Sequence, residues 1–236
     1  MAQSPALVQE GSTPSARDTR ERLLDAAERL FGENGFDGTS MRALARAAGT
    51  GLSAANYHFG SKEALLTAVM RRRINPVNEL RIQRLEALEA GSGRAPLPVE
   101  AVVDAYLRPV FEVRAASIQR SPTSPWLAAR IYSDPSQEVT KLKRELFVDV
   151  QARFLPALQR ALPQRDPRDL EIAQQLTTGL LVHVLSGNLS SEDFAAPDGA
   201  HDYEPILRQL VAFATAGLTS APRTPTPLSG PGGLRP

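Results

Sequence analysis

The chain has no cysteine among its 236 residues, so neither a disulfide nor a thiolate metal site can form, and thiol redox chemistry is excluded. Histidine is scarce as well: His58, His183 and His201 share no metal-ligand spacing. Excess charge of one sign is also missing. Twenty-seven Lys and Arg against 26 Asp and Glu leave a formal +1, so indiscriminate adhesion to polyanions is weak, and any nucleic-acid binding must come from a placed patch present in two copies. No apolar run approaches the roughly 18 residues of a membrane span, and residues 1–15 lack the charged start and apolar middle of a secretion signal. The expectation is a soluble cytoplasmic protein with no membrane partner. No Gly-rich phosphate loop or nucleophile motif occurs, so no catalytic residue, metal or cofactor is assigned and the chain is not expected to be an enzyme.

Alternating runs of strand length are absent too, while apolar residues recur at spacings of three and four, which predicts an all-α fold. The charge is uneven: Arg17 to Asn75 holds ten basic residues against seven acidic ones. The expected division is a disordered arm over 1–16, a helix-turn-helix domain over 17–62, a helical domain over 63–220 reached through a long helix, and a disordered Pro-rich tail over 221–236. The first helix has Asp18 as cap with Glu21 three positions on, sets Leu23, Ala27, Leu30 and Phe31 on one face and charge on the other, and stops at Gly35. The second starts after Thr39, buries Met41, Leu44, Ala45 and Ala48, and ends at Gly49. The third covers about Leu52 to His58. A fourth is capped by Ser61 and runs to about Ala90, with a kink expected at Pro76. After the break from Gly91 to Pro98, further helices are expected near 99–119, 125–133, 136–162, 168–186 and 203–218.

A helix enters a major groove only if its outward side chains are short and its neighbours grip the phosphates on either side. The third helix meets that condition. Ala55, Phe59 and part of Leu52 turn inward, whereas Ser53, Ala54, Asn56 and Tyr57 point out. Arg42 on the second helix can reach a guanine edge or a phosphate. Amides at the starts of helices two and four, with the Thr39, Ser40 and Ser61 hydroxyls, suit phosphate oxygens; Lys62 adds a cation, and Tyr57 and His58 extend the clamp. A plain bundle corner would also accommodate these aromatics. The spacing of Gly35, Thr39, Gly49 and Lys62 favours the groove-reading unit.

The segments LLDAAERLFGENGFDGTSMRALARAAG and NYHFGSKEALL resemble the DNA-binding domain of TetR-type (TetR/AcrR) transcriptional regulators, over about Arg20 to Val69. The resemblance implies base-facing positions for Arg42, Leu52, Ser53 and Ala54, and phosphate-facing positions for Thr39, Asn56, His58 and Lys62. Asn56 stands where many members carry tyrosine, and Thr50 where many carry valine. The run AANYHFGSKEALLTAVMRRRINPVN is also similar to a branch that includes fatty-acid-responsive repressors. The resemblance further implies that the second domain dimerises and encloses a small ligand, giving a ligand-released repressor on an inverted-repeat DNA operator.

For that second domain the residues themselves offer two hints. Small residues (Gly179, Ser186, Gly187, Ala212, Ala214, Ala216) lie among large ones on the last two helices, which predicts a four-helix interface between two copies. Tyr106, Trp126, Arg130 and His183 interrupt apolar helices and are the candidate ligand-binding residues for a small apolar effector, an anionic one included, with Arg130 as its anchor. The competing functions are a helical protein-binding adaptor or a small-molecule-binding protein that does not touch DNA.

Overall fold

The computed structural model describes residues 16–118, 127, 134, 136–186 and 202–220, and within them it holds eight α-helices and no strand. Of the helix expected over 125–133 only Leu127 is described, and it is helical and buried; the arm up to residue 15 and the Pro-rich tail lie outside the described residues. The all-α expectation holds.

Three helices open the chain: α1 (Ala16–Asn34), α2 (Met41–Ala47) and α3 (Leu52–Phe59). Helix α1 stops because Gly35 takes φ 74°, which lets its amide bond the Phe31 carbonyl at 3.0 Å. Gly49 closes α2 in the same left-handed region, at φ 62°. Between the three helices lie mostly alanines, Ala26, Ala45, Ala48 and Ala55, gathered around Leu23. Single-methyl side chains let short helices approach closely, and a larger side chain at any of these positions would overpack the contact.

Helix α4 (Lys62–Ser92) begins at Ser61, whose Oγ accepts the Ala64 amide at 3.1 Å. It continues through Pro76, which has no N–H and so deprives the Arg72 carbonyl of its helical partner. Its 31 residues span about 46 Å. Its buried side chains rotate around it, from Leu65, Leu66, Val69 and Met70 at one end to Val77, Arg81 and Leu85 at the other. The first set packs on Leu24, Ala27, Phe31 and Leu44, while Leu85 belongs to a second core.

That second core is built by α5 (Val99–Ile118), α6 (Gln137–Ala161), α7 (Pro167–Leu185) and α8 (Glu204–Thr219). Helix α6 also serves both cores. Val139 and Leu142 join the N-terminal cluster, and Val150, Phe154, Ala157 and Leu158 join the other.

One buried charge departs from the solvated face expected for α1. Glu28 is 1% exposed and sits between the guanidinium groups of Arg72 and Arg73 on α4. Arg72 also reaches Asp25 at 2.8 Å and Glu21 at 3.3 Å. Burial works against the charge of Arg72, but Glu28 and Asp25 outweigh it and hold that guanidinium above its ordinary pKa. This cluster fastens α1 to α4.

Candidate nucleic-acid interface

On α3 the helical repeat decides what faces out. Ala55 is fully buried and Phe59 is half-buried against α1 and α2, while Leu52, Ser53, Asn56 and Tyr57 are exposed. At 100° per residue these four cover an arc of about 140°, and Ala55 and Phe59 lie outside it, on the side beyond Leu52. Tyr57 is the most protruding, at 85% exposure, and its ring meets His58 edge-on with centroids 5.4 Å apart. Ala54 and His58 are half-buried and flank the stripe instead of standing on it.

Helix α2 presents Arg42 and, one turn on, Arg46. Arg46 is exposed and shares the face of Arg42, so it belongs with the site although it is missing from the residues expected there; counting four from Arg42 would have found it. Ser40 caps α2, its Oγ accepting the Ala43 amide at 3.2 Å. A capped helix still leaves its first two amides without an intrahelical partner, here those of Met41 and Arg42.

Two of the expected phosphate ligands are placed differently. Thr39 is 2% exposed, and its hydroxyl lies 2.8 Å from the Gly35 carbonyl and 3.2 Å from that of Leu30. It therefore satisfies the last carbonyls of α1 and presents no donor at the surface, which corrects the role expected of it. Lys62 is half-buried: its Nζ donates to the Phe36 carbonyl at 2.9 Å and rests 4.1 Å from the centre of the Phe36 ring. It pins the turn after α1 and keeps two N–H donors beyond that bond. At the start of α4 the carboxyl of Glu63 is held below its usual pKa, first by its own backbone amide and then by the Ser61 hydroxyl. An ionised side chain thus already lies where a phosphate would dock.

In the second core, Tyr106 is buried and Arg81 is stacked on it, with the guanidinium 4.1 Å from the ring centre and Nε donating to the Tyr106 carbonyl at 2.7 Å. Tyr106 lines a small, partly open void of about 10 Å³ with Val102, Val103, Phe154, Leu158, Gln174, Thr177 and Leu218, and the surface of that void is apolar. His183 does not join it. The buried stripe of α7 is Leu170, Gln174, Thr177, Leu181 and Leu185, so His183 falls on the exposed side with Leu176 and Gly179, a correction that follows from helical phase. Trp126 and Arg130 lie outside the described residues.

The small-and-large pattern of the last two helices also resolves differently from its expected role. Leu207, Leu210, Val211, Ala214 and Leu218 of α8 fill the chain's own core. The outward faces carry Ile172, Leu176 and Gly179 on α7, and Ala212, Phe213, Ala216 and Gly217 on α8. Leu176 and Phe213 are each 66% exposed, which is unusual for side chains of that size.

Taken together, a short helix with an outward stripe, two arginines on the preceding helix and N-terminal amides on either side define a helix-turn-helix DNA-binding protein. Comparison with known proteins gives the particular family. Residues 23–69 match the family model for bacterial regulatory proteins of the tetR family, and residues 104–217 match that for a tetracyclin repressor-like C-terminal domain. The HTH-type transcriptional regulator BetI of Rhizobium meliloti (strain 1021) is 32% identical over 164 residues, covering 69% of this chain and 76% of that one. Among solved structures, HlyIIR, a hemolysin II transcriptional regulator, superposes with a TM-score of 0.57 at 22% identity, covering 88% of this chain and 100% of the other. NalD of Pseudomonas aeruginosa, the secondary repressor of the MexAB-OprM multidrug efflux pump, gives 0.56 at 20% identity, covering 86% and 98%. The chain belongs to the TetR family and is a DNA-binding transcriptional regulator. Among the described residues no helix is long and apolar enough to cross a membrane.

Proposed function

We propose that the protein is a cytoplasmic repressor that binds an inverted-repeat operator as a homodimer and is released by a small, mainly apolar effector held in its second core. The domain division proposed with this reading is a helix-turn-helix unit over residues 17–62 and a ligand-binding and dimerisation unit over 63–220. Leu52, Ser53, Asn56 and Tyr57 read base edges with Arg42, and Ala54 lets the backbone approach. Ser40, Arg46, His58 and Lys62 hold the flanking phosphates. The outward stripe of α3 beside Arg42 and Arg46 carries this reading, because four exposed residues in phase on a two-turn helix have no packing role in the monomer.

Dimerisation rests on the exposed faces of α7 and α8. Leu176 and Phe213, with Gly179, Ala212, Ala216 and Gly217 around them, offer large side chains among small ones, which suits close packing against a two-fold mate. Two-fold symmetry sets the two α3 helices about one DNA turn or a multiple apart, hence an inverted repeat.

Selecting bound fragments from genomic DNA and footprinting them tests the reading. A symmetrical protected stretch is expected, and Arg42→Ala should lose about 1 to 3 kcal/mol of discrimination between operator and scrambled DNA. A footprint without symmetry, or an Arg42 variant with unchanged discrimination, overturns it.

A further inference from the structure

We infer that Asn56 reads an adenine in each operator half-site and that its side-chain amide decides the base accepted at that position. This rests on the DNA-binding reading above and names the base that α3 selects.

Helix α3, with the sequence LSAANYHF, carries no Lys, Arg, Asp or Glu. The side chains that most often pick out guanine and cytosine are therefore missing from it, and base choice falls to its neutral polar groups. Three of these stand on the outward stripe: Ser53, Asn56 and Tyr57. At 100° per residue the order across the stripe is Leu52, Asn56, Ser53, Tyr57, which sets Asn56 and Ser53 inside it and the other two at its edges. A hydroxyl turns to give or to accept a proton, so Ser53 and Tyr57 suit several bases. Asn56 holds a donor and an acceptor side by side in a fixed plane.

That amide is uncommitted. Asn56 is exposed, and its side chain has no hydrogen bond to any described residue. Asn78, by contrast, donates to the Leu146 carbonyl at 2.7 Å and accepts from Arg81 at 3.1 Å. An asparagine is short, so it touches a base edge only where the helix lies deep in the groove, and Gly51, Ser53 and Ala54 keep the start of α3 slim. Arg42 and Arg46, on the helix packed against α3, are exposed and have no ion-pair partner among the described residues. Arg20, Arg22 and Arg29 of α1 each pair with a carboxylate. The two free guanidinium groups fix the register in which Asn56 meets the duplex.

Counting donors and acceptors then selects the base. In the major groove adenine alone sets an acceptor, N7, beside a donor, the N6 amino group. Asn56 Nδ2 donates to N7 while Oδ1 accepts from N6. Against guanine, Oδ1 would face O6, acceptor against acceptor. Against thymine or cytosine, half of the amide finds no partner. An unpaired polar group in a closed interface is what makes such a site selective. Leu52, four residues before Asn56 on the same side of the helix and 37% exposed, adds an apolar surface that suits a neighbouring thymine methyl.

Selection of bound duplexes from a random pool, with the full-length protein and with Asn56→Ala, tests the inference. The unaltered protein is expected to return an inverted repeat with adenine fixed at one position of each half, and Asn56→Ala should accept any base there while keeping the other preferences. 7-Deazaadenine removes N7 and leaves base pairing intact. Placed at the fixed position in both halves, it should weaken the unaltered protein about tenfold or more and Asn56→Ala less than about twofold. Circular dichroism melting shows that the variant folds. A folded Asn56→Ala that still selects the adenine, or an unaltered protein indifferent to 7-deazaadenine at every adenine of its operator, overturns the inference while operator binding stands. So does an Asn56→Ala that binds all sequences equally more weakly, which would make Asn56 a phosphate ligand. A selection that returns no inverted repeat overturns the operator reading, and this inference with it.

Discussion

Removing the carboxylate of Glu28 tests how the N-terminal helices are fastened to α4. In Glu28→Ala the guanidinium groups of Arg72 and Arg73 lose the anion between them, and breaking a fully buried ion pair in this way costs about 3 to 5 kcal/mol. This pair is not fully buried, since the two arginine side chains are 28% and 26% exposed, and Arg72 keeps Asp25 and Glu21. Water and the remaining carboxylates recover part of the loss, so about 2 to 3 kcal/mol is expected. Glu28→Gln preserves the shape and one acceptor, and should lose about 1 to 2 kcal/mol. Urea unfolding followed at 222 nm measures both, at one fixed protomer concentration because association adds to apparent stability. Asp25→Ala is the control: its carboxylate is mostly exposed and should matter by less than about 0.5 kcal/mol. A Glu28→Ala variant no less stable than Asp25→Ala would refute the reasoning, because the buried charge would then contribute nothing.

Thr39→Val should cost about 1 kcal/mol of stability and leave the salt dependence of operator binding untouched, whereas Lys62→Ala should flatten the slope of log K against log salt by about one unit. A changed slope for Thr39→Val, or an unchanged one for Lys62→Ala in salt-titrated anisotropy, would reverse the two assignments. Glu63 titrates below its usual 4.5, so at neutral pH it is ionised and repels phosphate in full; Glu63→Gln should tighten operator binding by up to about 1 kcal/mol, and weaker binding would count against phosphate docking at α4. Phe213→Asp should yield a monomer in sedimentation equilibrium at micromolar concentration, and a persistent dimer would place the interface elsewhere.

Features decided by neighbours in sequence were legible from the residues alone. The cap at Ser61 and the closing glycines 35 and 49 follow from spacings of three to five residues and appear as expected, and so do Ser53, Asn56 and Tyr57 of the outward stripe of α3; Leu52, expected to turn partly inward, is exposed, and Ala54, expected outward, is half-buried. Features decided across the fold were not. Thr39 looked like a surface hydroxyl because nothing local says that the carbonyls of Leu30 and Gly35 converge on it. Glu28 looked solvated because its partners are 44 and 45 residues away. Phe213 was not singled out, although the buried stripe Leu207, Leu210, Val211, Ala214 and Leu218 leaves it outside. His183 failed on helical phase, misread by two residues from Leu181.

The two cores are joined by two helices of unequal stiffness. Between Met70 and Leu85, α4 passes through Pro76, where a missing hydrogen bond softens the helix. Between Val139 and Phe154, α6 has no proline; its only one, Pro156, lies beyond Phe154 at the void end. Val139 and Phe154 are fifteen residues apart on that uninterrupted stretch, about 22 Å along the axis, and each end is close-packed and resists compression. A group that entered the second core against Phe154 and Leu158 would act through α6 on Val139, Leu142 and the α4 residues that pack on the N-terminal helices. Helix α6 is therefore the stiffer route between the void and the DNA-reading surface, and α4 is the member free to bend as the other moves.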